Sequence, residues 1–204
     1  MRIVTFFTSG FIAVGLSSAA NAQAVTGEIG VTTKYLDDNF LTYGEGPAVQ
    51  VSLDVEVGEG WTFGAWGSHG EQADGAELDL RISKKFNLGD AEIEVAAEQE
   101  FLRESDDITT ASVAVTYGPI DVEATYHSWK QKDVFRISAG YSVPVTNNFT
   151  IHPQVTYETD GFEAPNFTVG TSAEFELSDK FSLRGLALTD GQNVKAAVGV
   201  FFTF

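Results

Sequence analysis

The chain has 204 residues, 43% of them hydrophobic, enough for one domain with a core of its own. Its 12 basic and 29 acidic residues give a formal charge of −17, which excludes nucleic acid as a partner because phosphate binding needs a basic face. Cysteine is absent, so disulfides and thiolate metal sites are excluded as well.

The first two dozen residues stand apart. Met1 and Arg2 make a short basic start, residues 3–16 are mostly apolar, and Ser17-Ser18-Ala19-Ala20-Asn21-Ala22-Gln23-Ala24 offers cleavage after Ala22 or after Ala24. This layout predicts a secretory signal peptide over 1–24, its apolar stretch being too short to span a membrane as a helix. Residues 25–204 are then the exported domain. Downstream, every apolar run is broken by charges or glycines, so no spanning helix is expected there.

From Val25 onward the hydrophobic period is two, the mark of strands. After a weaker segment at 27–35, Val49, Val51, Leu53 and Val55 alternate with Gln50, Ser52, Asp54 and Glu56. A weaker segment covers 61–68. Ala76, Leu78, Leu80 and Ile82 then alternate with Glu77, Asp79, Arg81 and Ser83, and Ile93, Val95 and Ala97 with Glu92, Glu94 and Glu98. Weaker segments at 108–117 and 121–129 lead to Phe135, Ile137, Ala139, Tyr141 and Val143, set against Arg136, Ser138, Gly140 and Ser142. Residues 149–158 and 167–177 repeat the pattern, with Pro153 as a weak point because proline cannot donate to a ladder. After a weaker segment at 181–189, Val194, Ala196, Val198, Val200, Phe202 and Phe204 make a wholly apolar face in the last one. About twelve strands result, each near the length that a tilted membrane strand needs.

Connections sharpen the reading. Tight turns are predicted at Gly58-Glu59-Gly60, Asn87-Leu88-Gly89-Asp90, Gly118-Pro119-Ile120, Thr146-Asn147-Asn148 and Ser178-Asp179-Lys180. Looser links at 36–46, 69–74, 103–107, 130–133, 159–166 and 190–192 fall between them. Short links alternating with mostly longer ones, an even strand number and aromatics near strand ends (Tyr35, Trp61, Phe63, Phe86, Phe101, Tyr117, Phe149, Tyr157, Phe167 and Phe181) favour a barrel in lipid over a soluble sandwich. The expected fold is therefore all-β: a transmembrane, antiparallel, up-and-down β-barrel of about twelve strands in the cell outer membrane, in contact with its lipid. The terminal Phe204 on an apolar strand resembles the C-terminal signal of outer-membrane proteins, which implies the barrel assembly machinery as a partner.

Pro47-Ala48-Val49-Gln50, followed by Gly60-Trp61-Thr62-Phe63-Gly64-Ala65-Trp66-Gly67-Ser68, resembles the TorF family of porins. Ala76-Glu77-Leu78-Asp79-Leu80 and Ala139-Gly140-Tyr141-Ser142-Val143-Pro144 are similar to later strands of that family. The family's arginine-glycine pair after the first strand is replaced here by Tyr35-Leu36-Asp37-Asp38-Asn39-Phe40, so no role of that arginine carries over. The resemblance implies an outer-membrane barrel with pore activity.

If the apolar faces meet lipid, the opposite faces line the lumen. Candidate lumen residues are Asp54, Glu56, Glu77, Asp79, Arg81, Glu92, Glu94, Glu98, Arg136, Glu174, Glu176, Arg184 and Lys195, with Glu28, Glu100, Glu123, Glu158, Lys34 and Lys85 of the same parity. An excess of carboxylates creates a negative potential, so a pore for small solutes or ions with modest cation preference is expected. The alternatives are a non-conducting structural or adhesion barrel and an outer-membrane hydrolase. For the last, the candidate bases are His69 beside Ser68, His127 beside Ser128, and His152; no convincing nucleophile–base–acid set is visible, and no enzyme activity or cofactor is expected. Three scattered histidines argue against a transition-metal site, and neither Asp37-Asp38-Asn39 nor Ser105-Asp106-Asp107 has calcium-loop spacing.

Overall fold

A computed structural model describes residues 22–36, 42–43, 46–70, 76–103, 107–129, 132–159 and 167–204. The expected signal peptide lies outside them apart from Ala22–Ala24, as do Asp37-Asp38-Asn39, and Ser105 and Asp106 of the second acidic motif.

Twelve strands alternate along the described chain: β1 (Ala22–Thr32), β2 (Ala48–Val57), β3 (Trp61–Gly70), β4 (Ala76–Leu88), β5 (Ala91–Leu102), β6 (Ile108–Tyr117), β7 (Ile120–Trp129), β8 (Lys132–Tyr141, continued by Val143–Thr146), β9 (Phe149–Glu158), β10 (Phe167–Ser178), β11 (Phe181–Thr189) and β12 (Val194–Thr203). Each pairs antiparallel with the next, and β1 pairs with β12 through Ile29↔Phe202, so the sheet closes on itself. Closure satisfies the backbone groups of every strand internally, which is what a sheet in lipid requires. Among the described residues no helix is long and apolar enough to cross a membrane.

β8 is interrupted between Tyr141 and Val143, where the register runs from Gly140↔Gln154 to Val143↔Ile151. Pro153, the weak point in the sequence, stands opposite this break. It has no N–H to give, so the ladder lapses there and resumes one residue on. On its other side β8 stays tied, since the Ser142 N–H donates to the Pro119 carbonyl at 2.7 Å.

The tight links form two- or three-residue turns at one end of the barrel. In the first, Glu59 and Gly60 both have positive φ (59° and 79°). A Cβ on Gly60 would lie 2.5 Å from the Lys85 carbonyl oxygen, so glycine is required there sterically as well as conformationally. The looser links leave from the opposite end.

Side chains separate cleanly by parity. Ile29, Val31, Leu78, Leu80, Ile82, Val113, Val115, Ile137, Val169, Val198 and Val200 are exposed on the outside. Outward aromatics gather at two levels. Trp61, Phe63, Phe86, Tyr117, Tyr141 and Phe181 lie toward the turn end, and Phe101, Tyr126, Phe135, Tyr157 and Phe167 toward the loop end. An apolar band between two aromatic belts on a closed barrel is the surface of a membrane-spanning protein. At the seam the Phe204 N–H donates to the Gly27 carbonyl at 2.9 Å, and the Gly27 N–H donates to the Phe204 carbonyl at 3.1 Å. The Phe204 ring occupies the space a Gly27 Cβ would need.

One expected belt residue is elsewhere. β1 ends at Thr32, not at Tyr35, and the chain turns inward. Tyr35 and Leu36 are buried inside the barrel. Leu36 packs against Leu188, Leu186 and Ala197 of β11 and β12, while the Tyr35 ring lies 5.5 Å from Trp66 of β3. Burying an aromatic and a leucine against interior side chains outweighs extending the strand by a few residues.

Candidate functional site: the barrel interior

The strand registers place each charged candidate. On β2, Asp54 and Glu56 share a face with Ala48; on β4, Glu77, Asp79 and Arg81 face Ser68, Trp66 and Gly64 of β3. On β5, Glu92, Glu94, Glu98 and Glu100 face Asn87, Lys85, Arg81 and Asp79 of β4. Arg136 faces Glu158, Glu174 faces Arg184, Glu176 faces Ser182, and Lys195 faces Leu188. All of these lie on the faces opposite the apolar outer band, directed to the interior.

The interior has two unlike halves. Toward the turns it is more exposed and ion-paired. Arg184 Nη1 and Nη2 donate to the two Glu28 oxygens at 2.7 and 2.6 Å, and its Nε donates to Glu174 at 2.8 Å. Its guanidinium also lies 4.6 Å from the Phe201 ring centroid. Glycines on β1 and β12 make room for that ring: a Cβ on Gly30 would be 2.2 Å from it and one on Gly199 2.8 Å. One arginine thus links β10, β11, β12 and β1 across the closing seam. Opposite, Arg81 donates to Glu94 at 2.6 Å, and Lys85 sits 3.1 Å from Glu92 and 3.5 Å from Glu94.

Toward the loops the inward side chains are packed. Thr32, Ala48, Ser68, Ile108, Thr110, His127, Val134, Thr156, Glu158, Thr168 and Leu188 are all buried. Arg136 clamps Glu158 through Nε (2.8 Å) and Nη2 (2.6 Å). The Thr110 hydroxyl lies 2.7 Å from a Glu100 oxygen, to which it donates, and 3.0 Å from His127 Nδ1. The Tyr35 hydroxyl donates to Glu77 at 2.6 Å. Glu77 and Asp79 lie two residues apart on the same face of β4. Asp79 Oδ1, Ser68 Oγ and Glu158 Oε1 are buried with no protein partner.

The histidine candidates separate. Ser68 points inward and His69 outward, and His127 inward and Ser128 outward, so neither neighbouring pair can act as nucleophile and base. His152 does acquire partners that the sequence left unpaired. Its Nδ1 is 3.1 Å from Ser142 Oγ and its Nε2 3.5 Å from Asp121 Oδ1. Gly140 makes this possible, since a Cβ there would fall 2.1 Å from Nε2. The Asp121 contact is too long for a hydrogen bond, and the Ser142 N–H is committed to Pro119, so it offers no oxyanion donor. The three residues form a polar cluster in the wall.

Tyr35 and Trp66 are among the interior residues that sequence reasoning missed. Trp66 shares the parity of Thr62, Gly64 and Ser68, which was the available signal; for Tyr35, beyond the strand end, parity carries none. Among the described residues no cluster of His, Asp or Glu is arranged to hold a metal ion.

No family model matches the sequence, and no curated protein matches it. Solved structures do match the fold. The barrel is similar to the KdgM porin (TM-score 0.66, 10% identity, covering 88% of this chain and 99% of that one). It is also similar to the NanC porin (0.57, 11%, 88% and 99%) and to outer membrane protein Omp33 of Acinetobacter baumannii (0.57, 6%, 90% and 99%). A second KdgM structure is a complex with disordered oligogalacturonate. The chain thus has the porin-like fold of outer-membrane barrels.

Proposed function

We propose that this chain is an outer-membrane pore that passes small solutes or ions with a modest preference for cations. The observation that carries the reading is the charge of the interior. Glu77, Asp79, Glu98 and Glu100 lie side by side on β4 and β5, while Arg81 and Arg136 are engaged by Glu94 and Glu158. A carboxylate-rich passage with low-dielectric walls concentrates cations and repels anions. An oligogalacturonate, the ligand in the KdgM complex, is a polyanion and is disfavoured here on the same ground. The resemblance to the TorF family supports the pore reading. The amino-terminal segment, read as a signal peptide removed after Ala22 or Ala24, and Phe204, read as the signal to the barrel assembly machinery, support delivery to the outer membrane.

A second reading, a non-conducting barrel, draws on the packed loop-side half, where Val134, Ala48 and Leu188 are at most 2% exposed. Planar-bilayer recording separates the two. The pore reading expects stepwise conductance from purified refolded protein and a reversal potential on the cation side in a KCl gradient. Absence of steps would sink the pore, and an anion-side potential would sink the charge argument.

A further inference from the structure

The loop-side carboxylates have a setting that the turn-side ones lack. Glu77 and Asp79 lie two residues apart on the same face of β4, and Glu100 faces Asp79 across the strand pair. Adjacent carboxyls hold together only with a positive charge or a proton between them. Arg81, on the same face of β4, and Arg136 are bonded to Glu94 and Glu158. Beside the acids stand oxygens with no protein partner. Ser68 Oγ, on a residue 5% exposed and in register with Glu77, is one; Asp79 Oδ1 is another. A buried hydroxyl and a buried carboxylate oxygen left without a donor are costly unless something supplies one.

Aromatic side chains stand beside these groups. Trp66 faces Asp79 in register, and Tyr35 packs on it with ring centroids 5.5 Å apart while bonding Glu77. The donor set is wrong for a metal cage, since no three acidic or histidine groups among the described residues converge on one point. Carboxylates and an unfilled hydroxyl beside ring faces suit a cation that carries N–H donors on an apolar body.

We propose that Glu77, Asp79, Glu100, Ser68, Tyr35 and Trp66 form a binding site for an organic ammonium ion, with aliphatic diamines the best-fitting class. A diamine places two ammonium groups roughly one strand repeat apart, about 7 Å, which matches carboxylates set two residues apart. Its methylene chain lies against Trp66 and Tyr35, and its N–H groups satisfy Asp79 Oδ1 and Ser68 Oγ. The site rests on the pore reading only in that the interior must admit solute.

The test is binding to the full refolded barrel in detergent, with 1,4-diaminobutane as probe, followed by calorimetry and tryptophan fluorescence. Saturable binding is expected, and equimolar Mg²⁺ or K⁺ should not displace the probe. Asp79→Asn should weaken binding at least tenfold and Trp66→Leu several-fold, while Asp179→Asn in an exposed turn leaves it unchanged. Heat-modifiable migration on gels checks that each variant is folded; if Asp79→Asn fails that check, Glu100→Gln replaces it with the same expectation. No saturable binding by the unmodified protein, full binding by the folded Asp79 or Glu100 variant, or displacement by Mg²⁺ at equal concentration would overturn the proposal. A barrel that binds the diamine but passes no current removes the pore and keeps the site, whereas one that conducts without binding removes the site alone.

Discussion

Arg184→Met probes how the barrel closes. The arginine makes three charge-assisted hydrogen bonds to Glu28 on β1 and Glu174 on β10, and stacks against Phe201 of β12. Two charges at contact in a medium of effective dielectric near 20 attract by about 4 kcal/mol, an upper bound before desolvation and side-chain entropy. Side-chain exposures of 37% for Arg184 and 21% for Glu28 mean that water screens much of this. Exposed pairs contribute about 0.2–1 kcal/mol and bonds to charged groups about 1.5–3, so a coupling of about 1 kcal/mol is expected for the bidentate pair. The ring contact adds about 0.5–1 kcal/mol. Arg184→Met should therefore destabilise the barrel by about 2 kcal/mol. Urea unfolding in lipid vesicles measures it, and a double-mutant cycle with Glu28→Gln isolates the pair. A coupling below about 0.3 kcal/mol would show that backbone pairing, not this arginine, secures the seam.

Other substitutions test the packing directly. Gly170→Ala would set a Cβ 2.2 Å from Leu188 Cδ2, a side chain only 2% exposed, and 3.1 Å from the Ala187 carbonyl. A loss of about 1–3 kcal/mol in the same unfolding assay is expected. Gly118 has φ of 58° with open space around it. Gly118→Ala should thus cost only the conformational penalty, about 1 kcal/mol, and Gly118→Asn less. In the link between β11 and β12, Asp190 accepts from the Gln192 N–H at 2.8 Å and the Asn193 N–H at 2.6 Å, and the Asn193 bonds above all hold its carboxyl below the usual range. A depressed value means that the turn's stabilisation is present above the ordinary aspartate pKa and lost as pH falls through the folded one. The Asn193 amide shift should accordingly titrate below the ordinary aspartate range, and a midpoint within or above that range would contradict the bonding described.

The fold was legible because lipid and lumen impose opposite chemistry on alternate residues. Val194, Val198 and Val200 against Lys195, Ala197 and Gly199 could be sorted without coordinates. The same parity sorted Glu77 and Asp79 from Leu78 and Leu80. Pro153 was read as a weak point, and its cost is confined to one lapse in the ladder because β8 breaks opposite it. Parity fails where the chain leaves a strand. Tyr35 has the look of a belt aromatic, and only the inward turn after Thr32 reveals its bond to Glu77. Contacts across the seam, such as Arg184 with Glu28, 156 residues apart, depend on closure, which no local pattern encodes. The cluster of Asp121, His152 and Ser142 likewise needs three strands in register and a glycine at 140.

The most direct test of a water-filled interior behind a lipid-facing wall is single-cysteine scanning of Glu174–Leu177, made simple by the absence of cysteine from the chain. In sealed vesicles, cysteines replacing Glu174 and Glu176 should react with a small charged thiosulfonate. Those replacing Phe175 and Leu177, labelled with a fluorophore before refolding, should be quenched by lipid-borne quenchers instead. Uniform reactivity along the four positions, or the reverse alternation, would contradict the barrel's assignment of faces.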